Sequence, residues 1–149
     1  MKKILTFISI IAMAFVSMSC EKEQHDIQPE PLEVNTNNIS GKWELVEWNG
    51  APMAEGTYVY MDIERGKTYT MYQNLDSFSN IPHVITGSYN LAIDPELGAI
   101  IRGSYDHDNG DWSHRYIIKD LYENEMLWVA KDDPSFTQKF RRVSTIPVL

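Results

Sequence analysis

Residues 84–120, VITGSYNLAIDPELGAIIRGSYDHDNGDWSHRYIIKD, hold three apolar-rich runs separated by two groups of turn residues. The runs are 84–91, 99–106 and 112–120. The breaks are Asp94-Pro95-Glu96-Leu97-Gly98 and Asp108-Asn109-Gly110, each a known turn chemistry. No run shows a period of 3.6, and the breaks are of hairpin length, so the three runs read as consecutive antiparallel strands. The same grammar continues outward: upstream lie 42–48, 57–63 and 67–73, and downstream 125–131 and 136–143. Asn49-Gly50, Arg65-Gly66, Glu123-Asn124 and Asp132-Asp133-Pro134 punctuate them. Eight antiparallel strands in simple order leave two open edges unless the sheet closes. At eight strands a closed barrel has room inside for side chains or one small ligand. The sequence therefore predicts an all-β protein, an eight-stranded antiparallel up-and-down β-barrel.

Alternation gives an inside set: Trp43 and Leu45; Val59, Met61 and Ile63; Tyr69 and Met71; Ile85, Tyr89 and Leu91; Ile101 and Tyr105; Trp112, His114, Tyr116 and Ile118; Phe136 and Phe140. Strand phase stays open where apolar residues fall on both faces, as Trp48, Tyr60, Leu127 and Trp128 do. Gly-Ser-Tyr occurs twice, at 87–89 and 103–105. A glycine inside a strand marks a bend or a close approach, while a chance tripeptide explains the repeat equally well. The one long connection, 74–83, carries Leu75, Phe78, Ile81 and Pro82, and either covers a barrel mouth or packs on the outer wall.

The N-terminus has the form of a bacterial lipoprotein signal. Lys2 and Lys3 open it, the thirteen residues 4–16 form an apolar stretch, and Ser17-Met18-Ser19 precede Cys20. Thirteen residues fall short of the roughly 20 that a transmembrane helix needs. The expected division is a signal peptide at 1–19, lipidated Cys20 with a polar, proline-containing tether to 38, the barrel at 39–143 and a tail at 144–149. Glu21 replaces the aspartate that favours inner-membrane retention, so the expected location is the outer membrane, the lipid being the membrane partner. Cys20 is the only cysteine, which leaves the folded part without disulfide, thiolate metal site or cysteine nucleophile. Loss of Lys2 and Lys3 leaves 11 of the 13 basic residues against 21 acidic ones. That charge disfavours nucleic acid and anionic lipid surfaces as partners.

Gly41-Lys42-Trp43, on the first strand after Asn37-Asn38-Ile39-Ser40, resembles the Gly-x-Trp signature of lipocalins. The whole chain, signal cysteine included, resembles the lipocalin-like lipoproteins of Gram-negative bacteria. The resemblance implies that Trp43 closes the barrel floor beneath an arginine of the last strand. Arg141 and Arg142 are both in place, and Arg142 is favoured because it shares a face with Phe136 and Phe140. Gly41, Trp43 and Arg142 are thus the expected closure. No second or third lipocalin signature, no disulfide and no long helix after the barrel accompany them, so the resemblance carries no ligand identity.

Chemistry-bearing patterns are sparse. Asp106-His107-Asp108-Asn109-Gly110-Asp111 gathers ligand atoms, but an EF-hand needs glycine sixth and glutamate twelfth, where Asp111 and Ile117 stand. His83 and His114 are of the residue type that serves as a general base, but no Gly-x-Ser-x-Gly or other nucleophile setting accompanies them. The expectation is a protein with no enzymatic activity, no metal and no cofactor. Two functions stay open. Either the barrel holds a small hydrophobic or amphipathic molecule against Tyr69, Met71, Tyr89, Tyr105, Trp112 and Tyr116, or large side chains fill it and the outer surface serves an envelope protein partner as an accessory subunit.

Overall fold

Asn49-Gly50 is the two-residue sequence that favours a type I′ hairpin, since both residues must adopt positive φ. Both do, at 53° and 77°. The strand before them, β1 (Gly41–Trp48), turns there into the two-residue strand β2 (Ala51–Pro52). The computed structural model describes residues 28–75 and 83–147. The remaining strands are β3 (Val59–Ile63), β4 (Thr68–Gln73), β5 (Val84–Asp94), β6 (Gly98–Tyr105), β7 (Tyr116–Lys119), β8 (Glu125–Ala130) and β9 (Thr137–Val143). From β3 to β9 each strand pairs antiparallel with the next, β3 pairs with β1, and β1 also pairs with β9. That last pairing closes an eight-stranded antiparallel up-and-down barrel, with β2 as an appendage. The first and last strands therefore have no free edge. A register shift between Leu45 and Glu47 bends β1 against β9.

The barrel interior has two unlike halves. At one end lie the start of β1, the end of β9, the β3–β4 turn and the β7–β8 connection. Here a single helical turn, α1 (Thr36–Ile39), crosses the opening, capped by the Asn35 side chain, which accepts from the amides of Asn37 and Asn38. Fully buried Ile39 and Trp43 plug this end, and the Trp43 indole donates to the Ile39 carbonyl at 2.9 Å. The Arg142 guanidinium lies 4.1 Å from the Trp43 ring centroid and donates to the carbonyls of Asn38, Ser40 and Glu123. Gly41 sits directly beneath it at φ +132°, where any side chain would meet the guanidinium.

Three expectations need correction. The sixth run, 112–120, is a strand only over Tyr116–Lys119. Trp112 instead bonds through its amide to the Gly103 carbonyl, and Asp111 bridges to Ser104, so the chain bends at Ser113 before the Arg115 carbonyl, accepting from the Lys131 amide, leads into β7. Residues 32–38 are not a solvated tether. Leu32 donates to the Leu121 carbonyl, Val34 packs against the core, and α1 covers the closed end. Their few apolar side chains have a particular place to go, which composition alone does not reveal. Asn49-Gly50 makes a hairpin with β2 rather than linking two barrel strands, which lengthens that connection. Cys20, His25, Phe78, Ile81 and Pro82 lie outside the described residues.

The twin Gly-Ser-Tyr segments face each other across β5 and β6. Gly87 pairs with Tyr105, Ser88 with Ser104, and Tyr89 with Gly103, so each glycine stands opposite the other segment's tyrosine. Both glycines point inward. A side chain at Gly87 would strike Tyr69 and the Ser104 carbonyl, and one at Gly103 would strike the Trp112 ring. The repeat clears space for two large rings in a barrel too narrow to seat them otherwise.

Candidate functional site

Among the described residues the end of the barrel opposite Trp43 is open, and its interior holds a cavity of about 390 Å³. That lies within the roughly 300–1,000 Å³ of small-molecule sites. Each strand contributes through its alternation. Leu45 and Trp48 come from β1, Val59 and Met61 from β3, Met71 and Gln73 from β4, Ile85 from β5 and Tyr105 from β6. The bend after β6 adds Trp112, Ser113 and His114. Tyr116, Trp128, Gln138 and Phe140 complete the wall, with Phe136 and Leu75 at the rim.

The aromatic rings form one connected cluster. Trp112 and Trp128 lie 5.7 Å apart between centroids, Tyr116 and Trp128 5.5 Å, and Trp128 and Phe140 4.8 Å. Tilted and edge-on pairs of this spacing are favourable beyond the area they bury, so the wall holds its shape without a ligand. His114 stacks on Phe136 at 4.7 Å and meets the edge of Tyr116 at 6.0 Å. Gln138 reaches the Tyr116 hydroxyl at 3.4 Å, and the Gln73 side-chain oxygen accepts from the Leu75 amide. Burial pushes the Tyr116 phenol up to about 12, and it raises that of Tyr105 as well. Both hydroxyls therefore stay protonated at neutral pH and are able to donate into the cavity.

Of the six residues expected to line a ligand site, Met71, Tyr105, Trp112 and Tyr116 line this cavity. Tyr69 and Tyr89 do not, because each is tied down deeper in the barrel. The Tyr69 hydroxyl donates to the Ser104 carbonyl and accepts from the Trp112 indole at 2.8 Å; burial raises its pKa to about 12. The Tyr89 hydroxyl donates to the Glu64 carbonyl at 2.7 Å, toward the closed end. Tyr69 is thus the strut that holds Trp112 in place. Trp128, Gln73 and Gln138 are lining residues absent from the expected set. Gln73 continues the alternation of Tyr69 and Met71, and Gln138 that of Phe136 and Phe140, so period two was enough to find both. Trp128 lay on a strand with apolar residues on both faces, where phase gave no answer.

A larger depression, about 730 Å³, lies on the outer wall between Lys42, Asp62, Tyr72 and the tail residues Thr145, Ile146 and Pro147. It carries the half-buried Lys42–Asp62 ion pair at 2.7 Å and is a surface groove, not part of the interior. Among the described residues no group of three or more histidine, aspartate or glutamate side chains converges as a metal site.

One similar solved structure is an NMR structure of a protein from Bacteroides uniformis ATCC 8492. It is 20% identical, with a TM-score of 0.52 over 76% of this chain and 96% of that one. At that identity the likeness extends to the fold alone. No family model and no curated protein matches the chain.

Proposed function

We propose that this chain is a lipocalin-like, lipid-anchored protein of the bacterial outer membrane whose barrel holds one small hydrophobic or amphipathic molecule and performs no chemistry on it. The observation that carries this reading is the aromatic-walled cavity at the open end, about 390 Å³ in volume. A barrel serving only as an accessory surface has no need of an unfilled interior, and this weighs against the accessory-subunit alternative. The Gly-x-Trp segment with Arg142 over the Trp43 ring supports the lipocalin likeness. The non-catalytic reading rests on the lining, which among the described residues carries no carboxylate, no thiol and no lysine or arginine.

The neutral probe N-phenyl-1-naphthylamine tests the site. It should bind saturably at one per chain and quench tryptophan emission, since Trp112 and Trp128 face the cavity. Tyr116→Ala should weaken it at least about tenfold, a buried large apolar side chain contributing roughly 1.5–3 kcal/mol, with the far-ultraviolet circular dichroism unchanged. Adsorption that never saturates would leave the accessory-subunit reading. The anchor is tested separately, because acylation needs the Cys20 thiol. Cys20→Ser should leave the protein unprocessed or free of the detergent phase, and membrane fractionation identical to wild type would rule the anchor out.

A further inference from the structure

The proposed binding cavity has a charge signature that narrows its ligand. Among the described residues, none of its lining side chains is lysine, arginine, aspartate or glutamate. An anionic headgroup brought inside would lose its water and meet no lysine or arginine in return, only amide and hydroxyl groups and the one imidazole of His114. A cation would meet something different. Trp112, Tyr116, Trp128 and Phe136 line the cavity, and aromatic rings are the apolar groups that attract organic cations.

The mouth adds to this. The β6–β7 connection carries Asp106 and Asp108 just after the lining residue Tyr105, while Asp111 shares a separate depression with Arg102 and Ser88. Asp108 lies near enough to Tyr105 to add to burial in raising its pKa, and at the rim the Asp133 carbonyl accepts from the amide of the lining residue Phe136 at 2.9 Å. Arg115 is spoken for by Asp132, at 3.0 and 3.1 Å, and His107 stands 3.5 Å from Asp108. The chain as a whole carries a net charge of −8. A mouth of this sign concentrates cations at the opening and repels anions.

We infer that the cavity takes the positively charged end of an organic amine, a tertiary or quaternary ammonium carried on an apolar or ring-bearing body, and rejects carboxylate amphiphiles. This rests on the ligand-binding reading above. A matched series with one ring and three charges tests it on the full chain in detergent: benzyltrimethylammonium, benzyl alcohol and benzoate, each followed by tryptophan quenching and calorimetry. Benzyltrimethylammonium should bind about tenfold tighter than benzyl alcohol, and benzoate weakest. Asp108→Asn with Asp133→Asn should reduce the preference for the cation over benzoate at least threefold and leave benzyl alcohol unchanged. Added salt should narrow the same preference. Equal affinities, or a preference for benzoate, would overturn the charge selection while leaving the cavity a ligand site. Binding of N-phenyl-1-naphthylamine without binding of any of the three would do likewise. Failure of all four compounds to bind would overturn both readings.

Discussion

Gly41, Trp43 and Arg142 form one structural unit, and each makes the other two necessary. The Arg142 guanidinium is planar and forked, so it lies flat on the Trp43 indole while its edge serves three carbonyls on two separate segments, Asn38 and Ser40 before β1 and Glu123 between β7 and β8. A lysine has the charge but neither the plane nor the fork. Arg142→Lys should therefore destabilise the domain by about 2 kcal/mol, the loss of charge-assisted hydrogen bonds that a single ammonium cannot replace. Trp43→Ala should cost more, roughly 3–5 kcal/mol, through the cavity it opens at a fully buried site. Urea denaturation followed by tryptophan emission and circular dichroism measures both. The double substitution should cost less than the sum, because the two side chains share one contact; strict additivity would mean that Arg142 acts through the loops alone.

At the scale of elements, β5 and β6 show how a narrow barrel makes room for large rings. Their glycines face each other's tyrosines, and Trp112 folds back over Gly103 instead of extending β7. Gly103→Ala should push the Trp112 ring aside, costing about 1–3 kcal/mol as overpacking does and shifting Trp112 emission. Gly66→Ala, in a turn with nothing within 4 Å of the added methyl, is the matched control and should be near neutral. Equal effects would remove the special role of Gly103. Strand order and closure were legible in the sequence, because turn chemistry and period two are local signals. The bend at Ser113 was not, since it follows from a ring seeking space across the barrel. The phase of Trp128 was equally hidden: Leu127 and Val129 are apolar too, and only the register with β7 and β9 turns Met126, Trp128 and Ala130 inward. Trp43 and Arg142 stood out by residue type, whereas the exclusion of Tyr69 and Tyr89 from the cavity depended on hydrogen bonds to Ser104 and Glu64 that no spacing encodes.

For the whole molecule, these arrangements divide labour between the two ends of one barrel. The closed end holds the plug, the guanidinium clasp and the docked segment from Leu32 onward. The open end holds the cavity, its ring cluster and the acidic connection. Substitutions at well-separated sites with no shared partner act additively, so stability and binding should be separable by position. A ligand that binds only the folded state adds RT ln(1 + [L]/Kd), about 2.7 kcal/mol at a hundredfold excess over Kd. For a domain of this size that is a rise in Tm on the order of 10 °C. With N-phenyl-1-naphthylamine at that excess, Arg142→Lys should start from a lower Tm yet gain the same increment as wild type, because the clasp lies at the opposite end from the site. Trp112→Ala should lose most of the increment, since it removes a wall of the cavity. Thermal scans read by circular dichroism, with and without the probe, give both quantities from one experiment. Loss of the increment in Arg142→Lys would show that the two ends are coupled through the barrel wall, and the division of labour would fall with it.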